Sequence, residues 1–156
     1  MPAGSEPGSR LPRTWRPLGV RIAGTVAALL LVGLCVGAWI ALGEDIRGRF
    51  TLWQRSTLIG LGLMGAVVWL ALLRSRVTAA VDEVAVVNGF KRRDLAWAQI
   101  VAVRLRRGAP WAEMDLSDGT TIAVMAIQGS DGERARTAVR EFRSVLAERT
   151  STDRND

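Results

Sequence analysis

Two unbroken apolar runs, Ile22–Leu42 and Ser56–Leu73, fill most of the first half of the chain, and neither contains an acidic or basic residue. A helix needs roughly 20 residues, about 17 at the short end, to cross a hydrocarbon core of about 30 Å. Both runs meet that length, so the pattern predicts a two-helix transmembrane hairpin over 18–75. A secretory signal is a poorer fit. Its apolar region covers about 7–15 residues before a small-residue cleavage site, whereas the first run is longer and ends Trp39-Ile40-Ala41-Leu42-Gly43-Glu44.

Past Arg76 the apolar positions switch to period two, the repeat of a half-buried strand. Val77, Ala79 and Val81 alternate with Thr78, Ala80 and Asp82, and Val84-Ala85-Val86-Val87 follows. Asn88-Gly89 predicts a tight hairpin because both residues tolerate positive φ. Phe90–Leu95 is then the return strand, and Trp97-Ala98-Gln99-Ile100 a short turn. Val101, Val103 and Leu105 alternate with Ala102, Arg104 and Arg106 until Gly108-Ala109-Pro110 breaks the strand. Met114 and Leu116 alternate with Glu113 and Asp115, Ser117-Asp118-Gly119 turns the chain, and Ile122, Val124 and Ala126 line a last strand.

The chain then becomes helical. Ser130-Asp131-Gly132-Glu133 has the spacing of a capping box. Ala135, Ala138, Val139, Phe142, Val145 and Leu146 recur at helical spacing and form an apolar stripe with an arginine-rich back. Residues 76–149 are thus expected to form one domain, while the head 1–17 and the tail 150–156 are polar and expected to be disordered.

Charge sets the expected orientation. Arg10, Arg13, Arg16 and Arg21 precede the first run, and Arg74 and Arg76 follow the second. The connector holds Arg47, Arg49 and Arg55 beside Glu44 and Asp45, a weaker excess. Basic residues are retained on the cytoplasmic side, which predicts a two-span protein of the cell membrane with both termini inside. Trp15, Trp39, Trp53 and Trp69 lie at or near run ends, where indoles favour the interface.

Composition narrows the chemistry. The net charge is +6, but the cations are spread over the chain rather than gathered on one reading helix, so nucleic acid is not an expected partner. There is no histidine, which removes Ser-His-Asp and Cys-His catalysis and histidine-based zinc motifs. The single cysteine, Cys35, lies mid-span and can form neither an intrachain disulfide nor a thiolate cluster. No cofactor or metal is expected. Gly60-Leu61-Gly62-Leu63-Met64-Gly65 matches a dinucleotide fingerprint by letter only, since that motif must join a strand to a helix. Close helix packing is the better reading. Gly33 and Gly37 on the first helix, with Gly62, Gly65 and Ala66 on the second, are the expected packing positions, either within the hairpin or against another copy.

Six short antiparallel strands closed by one C-terminal helix is the plan of a pleckstrin-homology (PH) domain. The stretch from Val77 to Leu146 resembles the bacterial PH domains of small two-pass membrane proteins related to the low-molecular-weight protein antigen 6 group. The residues carrying the resemblance are Val86-Val87-Asn88-Gly89 with Lys91-Arg92-Arg93, Trp97-Ala98-Gln99-Ile100, Arg104-Leu105-Arg106-Arg107-Gly108, Pro110-Trp111-Ala112 and Ser117-Asp118-Gly119. The expected fold is therefore a transmembrane hairpin followed by an α+β PH-like domain, a bent antiparallel sheet or partial barrel capped by a helix. The resemblance implies a membrane-anchored module without a catalytic role, and it transfers no binding residue position by position.

Two basic groups are candidates for an anionic-lipid or partner surface: Lys91, Arg92 and Arg93, and Arg104, Arg106 and Arg107. Each cation near an anionic leaflet contributes about 1 kcal/mol. A solvated strand edge, where charge discourages aggregation, explains the same residues without a ligand. Trp97 and Trp111 are expected in the core. Besides the bilayer, the expected partners are anionic lipid head groups or an envelope or membrane protein. The functions that fit are a tethered interaction module or an accessory subunit whose helices make the main contacts; nothing marks an acid–base pair for an enzyme.

Overall fold

The computed structural model of the protein describes residues 11–152. Of the segments expected to be disordered, 1–17 and 150–156, residues 1–10 and 153–156 lie outside the described residues, while 150–152 are instead the last residues of the C-terminal helix, which continues past the expected domain end at 149.

Two long helices, α1 (Leu18–Ala41) and α3 (Leu52–Arg74), are joined through the short helix α2 (Glu44–Arg49). Both long helices have the length and composition to cross a membrane, and neither is buried by the rest of the chain. Each begins four residues before its charge-free run. In α3 the reason is local. Thr51 and Gln54 form a reciprocal capping box, which satisfies free amides of the first turn and starts the helix at Leu52.

The domain has seven strands among the described residues, in two antiparallel sheets. The first sheet runs β1 (Arg13–Trp15), β2 (Arg76–Ala79), β3 (Glu83–Asn88), β4 (Lys91–Ala96), and the second β5 (Ile100–Arg104), β6 (Trp111–Leu116), β7 (Thr121–Gln128). The C-terminal helix α4 (Glu133–Thr152) packs on β5 and β7. Six strands and the helix match the periodicity. The expected hairpin at Asn88-Gly89 forms, with Gly89 at φ +62°.

Strand β1 corrects the expectation of a disordered head. Arg13, Thr14 and Trp15 pair with Ala79, Thr78 and Val77 of β2, across the whole helical hairpin. Trp15, expected at a bilayer interface, is instead a core residue, 8% exposed. Its ring lies 5.4 Å from that of Phe142, and its Nε1 donates to Glu141 on α4 at 3.1 Å. Arg13 adds an ion pair to the same carboxylate at 2.8 Å. The helical hairpin is therefore an insertion between two neighbouring strands, and its two ends emerge side by side from one sheet.

The core lies between the sheets and α4. Val77, Val84, Val86, Val103, Met114 and Val124 meet Phe142, which is 1% exposed. Trp97 is half-buried against Phe142 at 6.0 Å between ring centroids, with Ile100 buried in the same cluster. Trp111 departs from expectation: it is 36% exposed, at a break in register where Trp111 faces Gln128 but Ala112 faces Val124. Two further bonds tie the parts together. Asn88 donates from Nδ2 to the Ala123 carbonyl at 2.5 Å and accepts from the Met125 amide at 3.0 Å, bridging the sheets. Arg143 donates to the Val103 carbonyl at 2.7 Å, fixing α4 on β5.

The start of α4 also differs from the sequence reading. Gly129–Asp131 forms a 3-10 turn, and Gly132 takes φ +57° immediately before the helix. Glu133 does not reach back to Ser130. It engages Arg136 and Arg140, which hold its carboxyl below the ordinary carboxylate value, Arg140 more strongly. Asp131 instead accepts from the Gly19 amide at 3.2 Å, in the first turn of α1, where a negative charge is favoured.

Candidate functional site: the helix-proximal end of the domain

The first basic run splits when β4 forms. Side chains alternate faces along a strand, so Lys91 and Arg93 share a face with buried Leu95, while Arg92 points the other way with Asp94. Arg92 is paired, to Asp94 at 2.8 Å and to Glu83 at 3.6 Å. Lys91 and Arg93 form no ion pair among the described residues. They line a hollow of about 240 Å³ with Asn88, Thr121 and Ala123. Arg93 also interacts electrostatically with the Asp118 carboxylate, so the candidate trio is one ion-paired guanidinium and two cations without an ion pair among the described residues.

The second group lies on the other sheet. Arg104 is paired with Asp115 and Arg106 with Glu113 at 3.5 Å. Arg107 lies in the turn closed by the Ala109 amide on the Arg106 carbonyl, with Gly108 at φ +81°. A separate hollow of about 510 Å³ brings Arg106 and Arg107 together with Arg136 of α4. Since Arg136 already serves Glu133, Arg107 is the cation of this group without an ion pair among the described residues. The two basic groups do not merge into one patch.

What holds the first group near the two long helices is the β3–β4 turn. Ser75, directly after α3, is buried, donates to the Ala71 carbonyl at 3.2 Å and accepts from the Gly89 amide at 3.1 Å. Arg74 lies over the Phe90 ring, 5.8 Å from its centroid. Lys91 follows at once, and Arg93 is two residues, about 7 Å, further along the strand. Sequence reasoning missed Ser75, Arg74 and Phe90 because their association depends on where the hairpin tip docks, which no local pattern encodes.

The expected glycine packing within the hairpin is not formed. A Cβ added at Gly33, Gly37, Gly62 or Gly65 would meet nothing within 4 Å, and Ala66 is exposed. The helices meet through large side chains instead. Trp69 sits against Gly24, where an added Cβ would collide with the indole. At the far end Trp39 packs on Phe50 at 5.5 Å, with Arg55 over its ring. Gly33, Gly37, Gly62 and Gly65 are thus left with open space beside them.

At the opposite hairpin of the second sheet, Ser117-Asp118-Gly119 makes the expected turn, with Gly119 at φ +82°. Asp118 accepts from the Thr120 hydroxyl at 2.7 Å and the Thr120 amide at 2.8 Å, which lower its carboxyl pKa, the hydroxyl most. The carboxylate is a turn lock.

Residues 74–144 match the family model described as "Bacterial PH domain". Over these residues the chain is similar to bacterial PH domains. The match begins at the end of α3, so it excludes β1, which completes the first sheet from the other side of the helical insertion. Curated relatives from Mycobacterium tuberculosis and Mycobacterium bovis, each described as an uncharacterized protein, are 40% identical over 89 residues. The alignment covers 57% of this chain and 56% of each relative, so the chain matches about half the length of those proteins. No solved structure matches significantly.

Proposed function

We propose that this protein is a non-enzymatic, membrane-anchored PH-like module that presents its domain to anionic lipid at the cytoplasmic face of the cell membrane. The observation that carries the reading is the pairing of β1 with β2. A domain closed around the two ends of a membrane hairpin has no flexible tether, so its helix-proximal surface faces the bilayer at all times. Lys91 and Arg93, unpaired and within about one Debye length (~8 Å) of the docked tip, are the cations best placed to feel an anionic leaflet. Arg16, Arg21, Arg74 and Arg76 flank the same end and support a cytoplasmic placement.

The test uses a soluble chain in which a short Gly/Ser link joins Pro17 to Ser75 in place of the helices. It should bind vesicles containing phosphatidylglycerol, more weakly as salt rises, and bind phosphatidylcholine vesicles poorly. Lys91→Ser with Arg93→Ser should remove about 2 kcal/mol of affinity at about 1 kcal/mol per cation. Arg92→Ser should matter less, because that guanidinium is already satisfied. Equal binding by parent and double variant would sink the lipid reading.

A second reading is favoured by the outward-facing Gly33, Gly37, Gly62 and Gly65. Small residues allow close backbone approach in lipid, and here none of the described residues of the same chain packs against them. On this reading the protein is an accessory subunit, held to an envelope or membrane protein by its helices. Capture by the full chain but not by the helix-deleted chain would favour it.

A further inference from the structure

We infer that the β3–β4 tip is a membrane contact in its own right, with the Phe90 ring seated in the interfacial layer of the bilayer that α1 and α3 cross. This rests on the reading that those helices span a membrane.

The position of the tip sets its depth. A Cβ added at Gly89 would stand 3.2 Å from the Ala71 side chain and 3.8 Å from the Ala71 backbone. Ala71 lies three residues before the end of α3 at Arg74. At about 1.5 Å per residue, that is about 4.5 Å further along the helix, into its apolar part. The Gly89 backbone is therefore level with the last turn of the helix rather than above its end.

The tip is also held firmly. Gly89 is bonded to Ser75, and Asn88 is fixed to β7 by two hydrogen bonds. The turn is thus carried to that depth by the fold.

Phe90 is the next residue, and it is 64% exposed within the protein. In water, an exposed phenyl ring at a hairpin tip is unfavourable. At the boundary between acyl chains and head groups it has apolar surroundings. Arg74, whose guanidinium lies over the ring at 5.8 Å from its centroid, and Lys91, the next residue along the strand, then stand beside the ring as cations for lipid phosphate. The partner is glycerophospholipid: the glycerol and upper acyl region for the ring, and phosphate for the flanking cations.

The experiment uses the full chain in nanodiscs of phosphatidylglycerol and phosphatidylcholine. A photo-crosslinking analogue that keeps the aromatic ring, p-benzoylphenylalanine, replaces Phe90, and adducts are identified by mass spectrometry. Leu63, mid-span in α3, and Val101, exposed on β5, are substituted in parallel. Lipid adducts at positions 90 and 63, several-fold above position 101, support the inference. Lipid adducts at 63 but only background at 90 overturn it while leaving the membrane reading intact. Background at 63 overturns the membrane reading, and the tip contact with it. Capture of a second copy of the chain at position 90 also overturns the inference, because it gives the ring a protein partner.

Discussion

Replacing Trp15 with Ala probes a residue that lies outside the segment matched as a PH domain. In the structure its side chain is nearly buried, stacks on Phe142 and donates to Glu141. Truncating a buried Trp costs about 3–5 kcal/mol, and the lost hydrogen bond to a partly buried carboxylate belongs to that total. Domains of this kind have about 5–15 kcal/mol of stability in all. In the helix-deleted soluble chain, Trp15 faces Val77, so a short link between Pro17 and Ser75 closes β1 and β2 as an ordinary hairpin. With a urea m-value of about 1–3 kcal/mol/M, a loss of about 4 kcal/mol moves the midpoint down by roughly 2 M. Circular dichroism gives that midpoint independently of the deleted indole. A fragment beginning at Arg76 lacks β1 altogether and should be at least as unstable. An unchanged midpoint for Trp15→Ala would refute the placement of β1 in the core and, with it, the closure of the domain around the helices.

Phe142→Ala should cost about 3–5 kcal/mol in the same assay, since its ring touches Trp15 and Trp97 at the junction of both sheets with α4; a parent-like melt would mean that α4 does not close the core. Asp118 predicts a direction with pH. Its folded pKa lies below the ordinary 3.8, so its contribution is present above that value and is lost as pH falls through the folded pKa. Removing the hydroxyl with Thr120→Val should weaken the acid-side loss of stability, and identical acid titrations of parent and variant would count against the turn lock.

The strands from β2 to β7 and the helix α4 could be read from residue pattern because each carries its own period and its own turn residues. Gly89 and Gly119 occupy the positive-φ positions that their turns require, and the stripe through Phe142 is the face α4 buries. Strand β1 could not be read in that way. Three residues, Arg13-Thr14-Trp15, are too few to show alternation, and their partners lie some 60 positions away, beyond a long apolar insertion. The local hint was a Trp, and its place just before a long apolar run suggested the bilayer instead. The basic run was visible, but its division into ion-paired Arg92, and Lys91 and Arg93 without an ion pair among the described residues, depends on strand alternation and on Glu83 across the ladder. The capping motif at Ser130 failed because Gly132 turns left-handed, freeing Asp131 for α1.

The central claim is that the domain lies on the cytoplasmic side of a membrane, with the α2 connector on the other. In a Cys35→Ser background, Gly48→Cys and Thr121→Cys place single thiols in the connector and on the domain. Labelling of intact protoplasts with a membrane-impermeant maleimide tests both positions at once. The account predicts that position 48 is labelled directly and position 121 only after permeabilisation. Labelling of position 121 from outside, or equal access to both before permeabilisation, would contradict it.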